Sequence, residues 1–247
     1  MTTTTLQQQW AALLGATLET WAHQLLYVRH IYPRHSFGSS LFLGVRCKVN
    51  RHPDVISYIR DAVQVAVPSL VSGVTDELRL VVTDTEAETG KTTELESYSL
   101  RLLGRVVQDD DWNTLSNAAA STAAANNGQL SQIMEQLEKG MRNLVMRVHS
   151  LESNRATKSD TVSFQLVLHV ASQDATCAEL DRVFSEGTWC SVDASHPGND
   201  HKNQKSMRPI YNLSTLFCNM EMTMTKSNAL GRAIYRRKNP PNHDWES

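Results

Sequence analysis

The stretch from Leu14 to Phe37 restricts the fold more than any other. Leu14, Leu18, Trp21, Leu25, Val28 and Tyr32 recur at alternating steps of four and three, the spacing that lines one helical face. Ala22 and Leu26 widen the stripe. Pro33 disfavours helix at Tyr32 and removes a backbone donor, so the spacing predicts a helix that ends there and a loop after it. A helix with so broad an apolar stripe needs other elements around it, and the rest of the chain reads as pieces of one core.

After this helix, Leu41, Leu43, Val45, Cys47 and Val49 alternate with other residues, which predicts one strand with a buried face. Pro53 suits a first helical position. Val55, Ile56, Ile59, Val63 and Val67 mark the inner face of a second helix expected to stop near Pro68. Leu78–Thr83 and Leu95–Leu103 are β-prone and joined by the polar segment Asp84–Thr93, a hairpin pattern. Residues 109–128 are small and polar with little to bury, so a disordered Ala-rich insertion is expected.

Helical spacing returns from Leu130 through Ile133, Leu137, Met141, Leu144 and Val148 to Leu151, a second helix wall. Val162, Phe164, Leu166, Leu168 and Val170 alternate strictly and predict a strand well inside the sheet. Beyond it the pattern weakens through a loop running to Met207. Met220, Met222 and Met224 then mark a last strand, and a tail with Arg232, Arg236, Arg237 and Lys238 is expected to be disordered.

The chain of 247 residues is 40% hydrophobic with net charge −2. That composition fits a globular core and excludes a generally basic nucleic-acid binder. No apolar run approaches the roughly 20 residues of a membrane span, and the start lacks the layout of a signal peptide. An intracellular protein with no membrane contact is expected. Cys47, Cys177, Cys190 and Cys218 form no CxxC pair, which argues for free thiols rather than a disulfide framework. Cys177, Cys190, His196 and His201 match no zinc ribbon or finger, so no metal is expected.

Thr89-Gly90-Lys91-Thr92 resembles the end of a P-loop, but Thr85 stands where that motif needs glycine, and a hairpin tip yields Gly-Lys-Thr easily. No GxSxG, HExxH or GxGxxG occurs. The reading is therefore no enzyme, no catalytic residue and no cofactor. The basic tail holds no acidic residue between Met222 and Asp244. It suits DNA backbone contact or nuclear import as well as it suits a solvated tail.

Leu25-Leu26-Tyr27-Val28-Arg29-His30-Ile31-Tyr32-Pro33, followed by Phe37, resembles the HORMA family, whose first helix commonly ends in a Tyr-Pro turn. His52-Pro53-Asp54 with Tyr58-Ile59-Arg60-Asp61 resembles more narrowly the branch that serves as the non-catalytic subunit of DNA polymerase zeta. The likeness covers about Leu14 to Lys226. It implies an α+β fold: a single HORMA domain over 8–226, with helices packed on a mostly antiparallel sheet. The seat-belt segment would be 172–226, and 227–247 a basic tail.

The implied function is that of an adaptor in translesion DNA synthesis. Its belt traps a proline-containing peptide of the polymerase zeta catalytic subunit as an added strand and bridges to a recruiting translesion polymerase, in the nucleus and also the cytoplasm. Sheet-edge hydrogen bonds would supply affinity and the closed belt slow release. By position, Tyr58 and Trp189 match aromatics that grip the peptide, and Val65, one helical face further along, would line the same groove.

Met207, Glu221 and Thr223 fall on the surface expected for the second polymerase, although Glu221 and Thr223 replace the family's glutamine and tyrosine. Arg142, or Lys139 in a shifted alignment, matches an arginine through which HORMA domains pair as homo- or heterodimers. A remodelling AAA+ ATPase is a further implied partner, and nucleic acid is met at most indirectly or through the tail. The alternative is a spindle-checkpoint or meiotic chromosome-axis adaptor of the same family.

Overall fold

The computed structural model describes residues 6–85, 92–103, 123–151, 162–170, 189–191, 206–214, 218–226 and 235–237. The first helix, α1 (Leu6–Val28), is central: α2 (Pro53–Val71) and α3 (Ala123–His149) both pack against it. Trp10, Leu14, Leu18, Trp21, Ala22, Leu25 and Leu26 are buried, and so are Thr17, His23 and Gln24. This helix is enclosed on nearly all sides, so the apolar stripe understates its burial. A Cβ at Gly15 would meet Val67 Cγ2 at 3.6 Å and Val63 Cγ1 at 3.9 Å, ordinary packing distances, so α1 and α2 meet face to face at this point.

The helix ends before the proline. His30 takes a left-handed φ of 55°, its N–H bonds Tyr27 O, and the Ile31 N–H reaches back to Leu26 O. This is a Schellman ending with histidine at the position glycine usually takes. The chain therefore leaves the axis four residues earlier than the Tyr32-Pro33 rule indicates. Tyr32 becomes part of the following turn and stays buried against Phe164, ring centroids 6.2 Å apart.

Where one strand is expected, the structure has a hairpin, β1 (Phe37–Phe42) and β2 (Val45–Asn50), paired with each other alone. Leu43 and Gly44 form the two-residue turn with φ of 46° and 78°, the left-handed pair that matches strand twist. Leucine at the first turn position hid the hairpin, because its apolar side chain continued the alternation. The next helix opens on a built cap: Asn50 Oδ1 accepts from the His52 N–H, and His52 Nδ1 accepts from the Asp54 N–H. Pro53 occupies the first turn, where no donor is needed. The helix runs through Pro68 to Val71.

The main sheet contains β3 (Thr75–Thr85), β4 (Thr92–Leu103), β5 (Val162–Val170), β6 (Trp189–Ser191), β7 (Ser206–Ser214), β8 (Asn219–Lys226) and β9 (Tyr235–Arg237). Their order is β6-β9-β5-β3-β4-β8-β7, and every pairing is antiparallel. Leu78, Leu80, Val82, Tyr98, Leu100, Leu102, Phe164, Leu166, Leu168 and the three methionines of β8 join the helices in one core. This is the α+β architecture expected.

Three further departures from expectation lie in the C-terminal half and the insertion. The helix α3 begins at Ala123, inside the segment expected to be disordered; 109–122 lie outside the described residues. The strand β7 falls partly in an expected loop, because Pro209 interrupts its pattern. The structure absorbs the proline at an irregularity between Pro209 and Tyr211, the kind of place a sheet tolerates it. The tail, expected without structure, contributes β9.

Candidate functional site at the sheet edges

The three central strands, β4-β3-β5, come from consecutive hairpin and crossover elements, and segments from the last quarter of the chain extend them on both sides. The β7-β8 hairpin lies along β4, with Met222 opposite Leu100 and Met224 opposite Tyr98. Alternation sends the methionines into the core and Glu221, Thr223 and Thr225 to the opposite face. Gly140 of α3 faces Leu213 of β7 so closely that an added Cβ would lie 2.8 Å from Leu213 Cδ2 and 3.2 Å from its Cγ. The absence of a side chain at Gly140 seats the hairpin against the helix.

On the other edge, β9 lies between two neighbours. Arg236 pairs with Val167 and Tyr235 with Leu168 of β5. On its far side Trp189, Cys190 and Ser191 of β6 pair with Arg237, Arg236 and Tyr235. The gap between β5 and β6 is thus one strand wide and bordered by hydrogen-bonding backbone on both sides. This is the geometry that holds an extended peptide by main-chain bonds and selects it by alternate side chains.

Tyr58 stands beside this slot. The capped start of α2 places it on the buried face, where its ring meets Phe164 of β5 edge-on at 5.3 Å. Its hydroxyl accepts a hydrogen bond from the Leu166 N–H at 3.4 Å. Carrying the β5-β9 register one residue further sets Arg237 opposite Leu166, so the hydroxyl reaches β5 where β9 ends. Val65 follows two turns later on α2 and is half-buried against the core. Trp189 is placed in β6, across from Arg237. The structure brings Tyr58 and the Trp189 backbone to the same edge and leaves Val65 further along the helix.

Met207, Glu221 and Thr223 share the sheet face away from the helices. Met207 is 64% exposed, Glu221 is half-buried opposite Arg101, and Thr223 is only 7% exposed. This face carries a polar network. Glu77 Oε1 accepts from Arg79 Nη2 at 2.7 Å and from Ser99 Oγ at 2.7 Å, with His169 Nε2 at 4.0 Å. Burial alone would raise the Glu77 pKa, but Arg79, Ser99 and His169 outweigh it and hold the carboxyl below its ordinary value. Arg101 bonds Asp76 through Nε and Nη2.

Arg142 and Lys139 are both exposed on α3, away from the buried row of Leu137, Met141, Leu144 and Val148. They belong to the helical layer.

One buried ion pair carries no sequence signal. Arg29, in the turn after α1, donates from Nε and Nη2 to both carboxylate oxygens of Glu96 on β4, at 2.5 and 2.6 Å, and the pair is buried. Glu96 stands opposite Lys226, the last residue of β8. The spacing of Arg29 and Glu96 in the sequence carries no hint of this pairing.

The remaining chemical candidates do not assemble. Thr92 pairs with Thr85 and opens a strand, whereas a P-loop needs a helix there; Thr89 to Lys91 lie outside the described residues. Among the described residues no group of three or more His, Cys, Asp and Glu gathers to hold a metal. Cys177, His196 and His201 lie outside them, and of Cys190 only the strand position is described. Cys47 and Cys218 are free and buried, and burial pushes the Cys218 thiol up to about 12. Among the described residues no helix is long and apolar enough to cross a membrane.

A family model described as the HORMA domain matches residues 11–208. No curated protein matches the sequence. The fold is similar to a chain of a mitotic checkpoint complex crystal structure, with TM-score 0.58 and 14% identity over 89% of this chain and 99% of that one. It is similar also to C. elegans HTP-1 bound to a HIM-3 closure motif, with TM-score 0.54 and 13% identity over 90% and 92% of the two chains. C. elegans HTP-2 bound to the same motif gives TM-score 0.52 and 13% identity over 89% and 91%.

Proposed function

The chain belongs to the HORMA domain family, and we propose that it is a non-catalytic adaptor that holds a partner's peptide as a strand between β5 and β6. One observation carries this reading: a single strand is bonded on both sides in that slot, with the Tyr58 hydroxyl at its end. Backbone pairing on two sides gives affinity without sequence demand, and Tyr58 with Trp189 supplies aromatic surface for a proline-bearing segment. The belt is the segment 172–226, whose last hairpin, β7-β8, pairs with β4 and packs on α3 at the opposite edge. Release of the peptide then requires β6 to leave, which makes dissociation slow.

Within the family, the reading favoured by His52-Pro53 and Tyr58 is the accessory subunit of DNA polymerase zeta in nuclear translesion synthesis. The cap built by Asn50, His52 and Pro53 fixes the start of α2, and that start sets where Tyr58 meets β5. The recruiting polymerase would dock on the face carrying Met207 and Glu221, and Arg142 would serve pairing with a second HORMA domain. The second reading, a checkpoint or meiotic-axis adaptor, is supported by neighbours of the same fold in a mitotic checkpoint complex and in closure-motif complexes.

Competition decides between them. A labelled proline-bearing peptide from a polymerase zeta catalytic subunit is bound to the purified chain and challenged with closure-motif peptides. Retention of the polymerase peptide, and its loss on Trp189→Ala by about 2 kcal/mol or more, is the expected result. Displacement by closure motifs at lower concentration than by unlabelled polymerase peptide would transfer the function to the second reading. Unchanged affinity in Trp189→Ala would remove Trp189 from the binding site.

A further inference from the structure

The segment from Thr20 to Pro53 contains no aspartate or glutamate, although the chain has 26 of them. It carries Arg29, Arg34, Arg46, Lys48 and Arg51. Arg29 is neutralised in the buried pair with Glu96. The other four are displayed: Arg34, Arg46 and Arg51 are exposed and Lys48 is half-buried. We infer that the outer face of the β1-β2 hairpin, together with the 3-10 turn Arg34–Ser36 before it, binds the phosphate backbone of duplex DNA. The inference goes beyond the adaptor reading and does not rest on it, because this face is built from α1, the turn and the hairpin rather than from the slot between β5 and β6.

Register places the cations on one side. Ser39 lies opposite Lys48, and Leu41 opposite Arg46. Alternation turns these four side chains away from Phe42, Val45 and Cys47, which pack into the core. Tyr27 of α1 gathers two of the charges: Lys48 Nζ lies 5.7 Å and the Arg34 guanidinium 5.9 Å from its ring centre. The ring is itself held edge-on by Phe37, centroids 5.3 Å apart. Lys48 Nζ also donates to Ser39 Oγ at 3.2 Å, and Arg51 Nη2 donates to the His35 carbonyl at 2.5 Å beside the turn. Side chains that would otherwise be mobile are thus held at fixed places before any anion arrives, which lowers the entropy cost of binding one.

The charge pattern fits a regular polyanion. Among the described residues no carboxylate forms an ion pair with Arg46, Lys48 or Arg51. Like charges drawn to one ring repel each other, and an anion between them turns that repulsion into attraction. Arg46 and Lys48 stand two residues apart on one strand, so their Cα atoms are about 7 Å apart. A DNA strand, with one charge per roughly 3.4 Å of axis, meets both. The hairpin pairs with no other strand, and a two-stranded ribbon is a form that the major groove admits. Lysine and arginine at strand spacing serve phosphate contact rather than base reading. A lipid surface would call for more apolar area than Leu41, 72% exposed near the hairpin tip, supplies.

Binding of a labelled random-sequence duplex to the full chain, read by anisotropy between about 50 and 200 mM salt, tests this. Four phosphate contacts predict a slope of about −3.6 in log affinity against log salt, a loss of about a hundredfold over that range. Arg46→Gln with Lys48→Gln should weaken binding by about tenfold and make the slope shallower by about two; unchanged affinity and slope overturn the inference. Should that double variant unfold, the exposed Arg46→Gln alone should still lower the slope by about one, and an unchanged slope overturns the inference equally. Arg46→Lys with Lys48→Arg keeps both charges and should bind like the intact chain; loss of binding there overturns phosphate recognition. Arg232→Gln with Lys238→Gln leaves the hairpin intact, and DNA binding lost in this variant but kept in the hairpin variants would move the contact to the tail. Phosphatidylserine vesicles or polyglutamate that displace the duplex at a lower concentration of charge than unlabelled duplex would assign the face to lipid or to an acidic peptide and overturn DNA as its partner.

Discussion

Tyr58 Oη of α2 accepts a hydrogen bond from the backbone N–H of Leu166 on β5, so a helix side chain reaches the strand backbone at the edge of the slot. Tyr58 is 5% exposed and its ring is packed on Phe164. Tyr58→Phe keeps that packing and deletes the acceptor. The expected cost is about 1 kcal/mol in urea unfolding, with faster release of the bound peptide. Peptide dissociation at the wild-type rate would confine Tyr58 to the core.

The Arg29–Glu96 pair predicts asymmetric mutational effects. Removing Glu96 takes away the carboxylate that both Arg29 donors share in a buried setting, so Glu96→Ala should cost about 3 kcal/mol. The double change Arg29→Met with Glu96→Leu removes both charges and should regain most of that loss. Equilibrium unfolding of the three chains measures it. A double variant no better than Glu96→Ala would show that the pair matters through something other than its buried charge.

Stability should fall in mildly acidic solution because of His23. Burial, with a smaller contribution from the Arg60 charge, lowers its pKa to about 4. The unfolded chain takes up the proton near the ordinary value of 6.5 and the folded chain only near 4. Stability is therefore full above 6.5 and declines as pH falls toward 4, by about 3 kcal/mol in total. His23→Gln should flatten the profile in that window, read from denaturation midpoints between pH 4 and 7. Glu77, held below its ordinary value, adds a further decline below about 4.5.

Gly140→Ala tests how α3 seats the β7-β8 hairpin. Alanine favours helix by about 1 kcal/mol, but the new methyl overlaps Leu213. Overpacking of this kind costs about 1–3 kcal/mol, so the net change should be destabilising, with faster amide exchange in β7 and β8. The pair Gly140→Ala with Leu213→Ala should restore a close helix approach and slow that exchange again. A more stable Gly140→Ala chain would mean that Leu213 moves aside freely.

Much of the helical layer was legible because burial imposes a period on a sequence. The stripe of α1, the inner faces of α2 and α3, and the strict alternation of β5 and β8 all follow from side chains that share one core. The hairpin at Leu43-Gly44 was not legible, since leucine is a rare residue for a left-handed turn and prolonged the strand pattern. The end of α1 was misplaced for a related reason: His30 supplies the left-handed residue that glycine usually marks. Pro209 concealed β7, because a strand interior normally rejects proline and only the sheet irregularity accommodates it.

The candidate site divides along the same line. Tyr58 was singled out by the resemblance around His52-Pro53-Asp54, and the helix register sets its hydroxyl against the Leu166 N–H of β5. Nothing in the local sequence of Tyr235–Arg237 marks a strand: three residues are too few for a period, and their charge suggests a solvated tail. What makes them a strand is the bare edge of β5 on one side and β6 on the other, both delivered by distant parts of the chain. The helices and the central strands were readable because each is a pattern written within one segment, and the family because its motifs are local too. The Arg29–Glu96 pairing, the seat of Leu213 on Gly140 and the strand between β5 and β6 emerge only in the folded chain, because each depends on which separate segments the fold brings together.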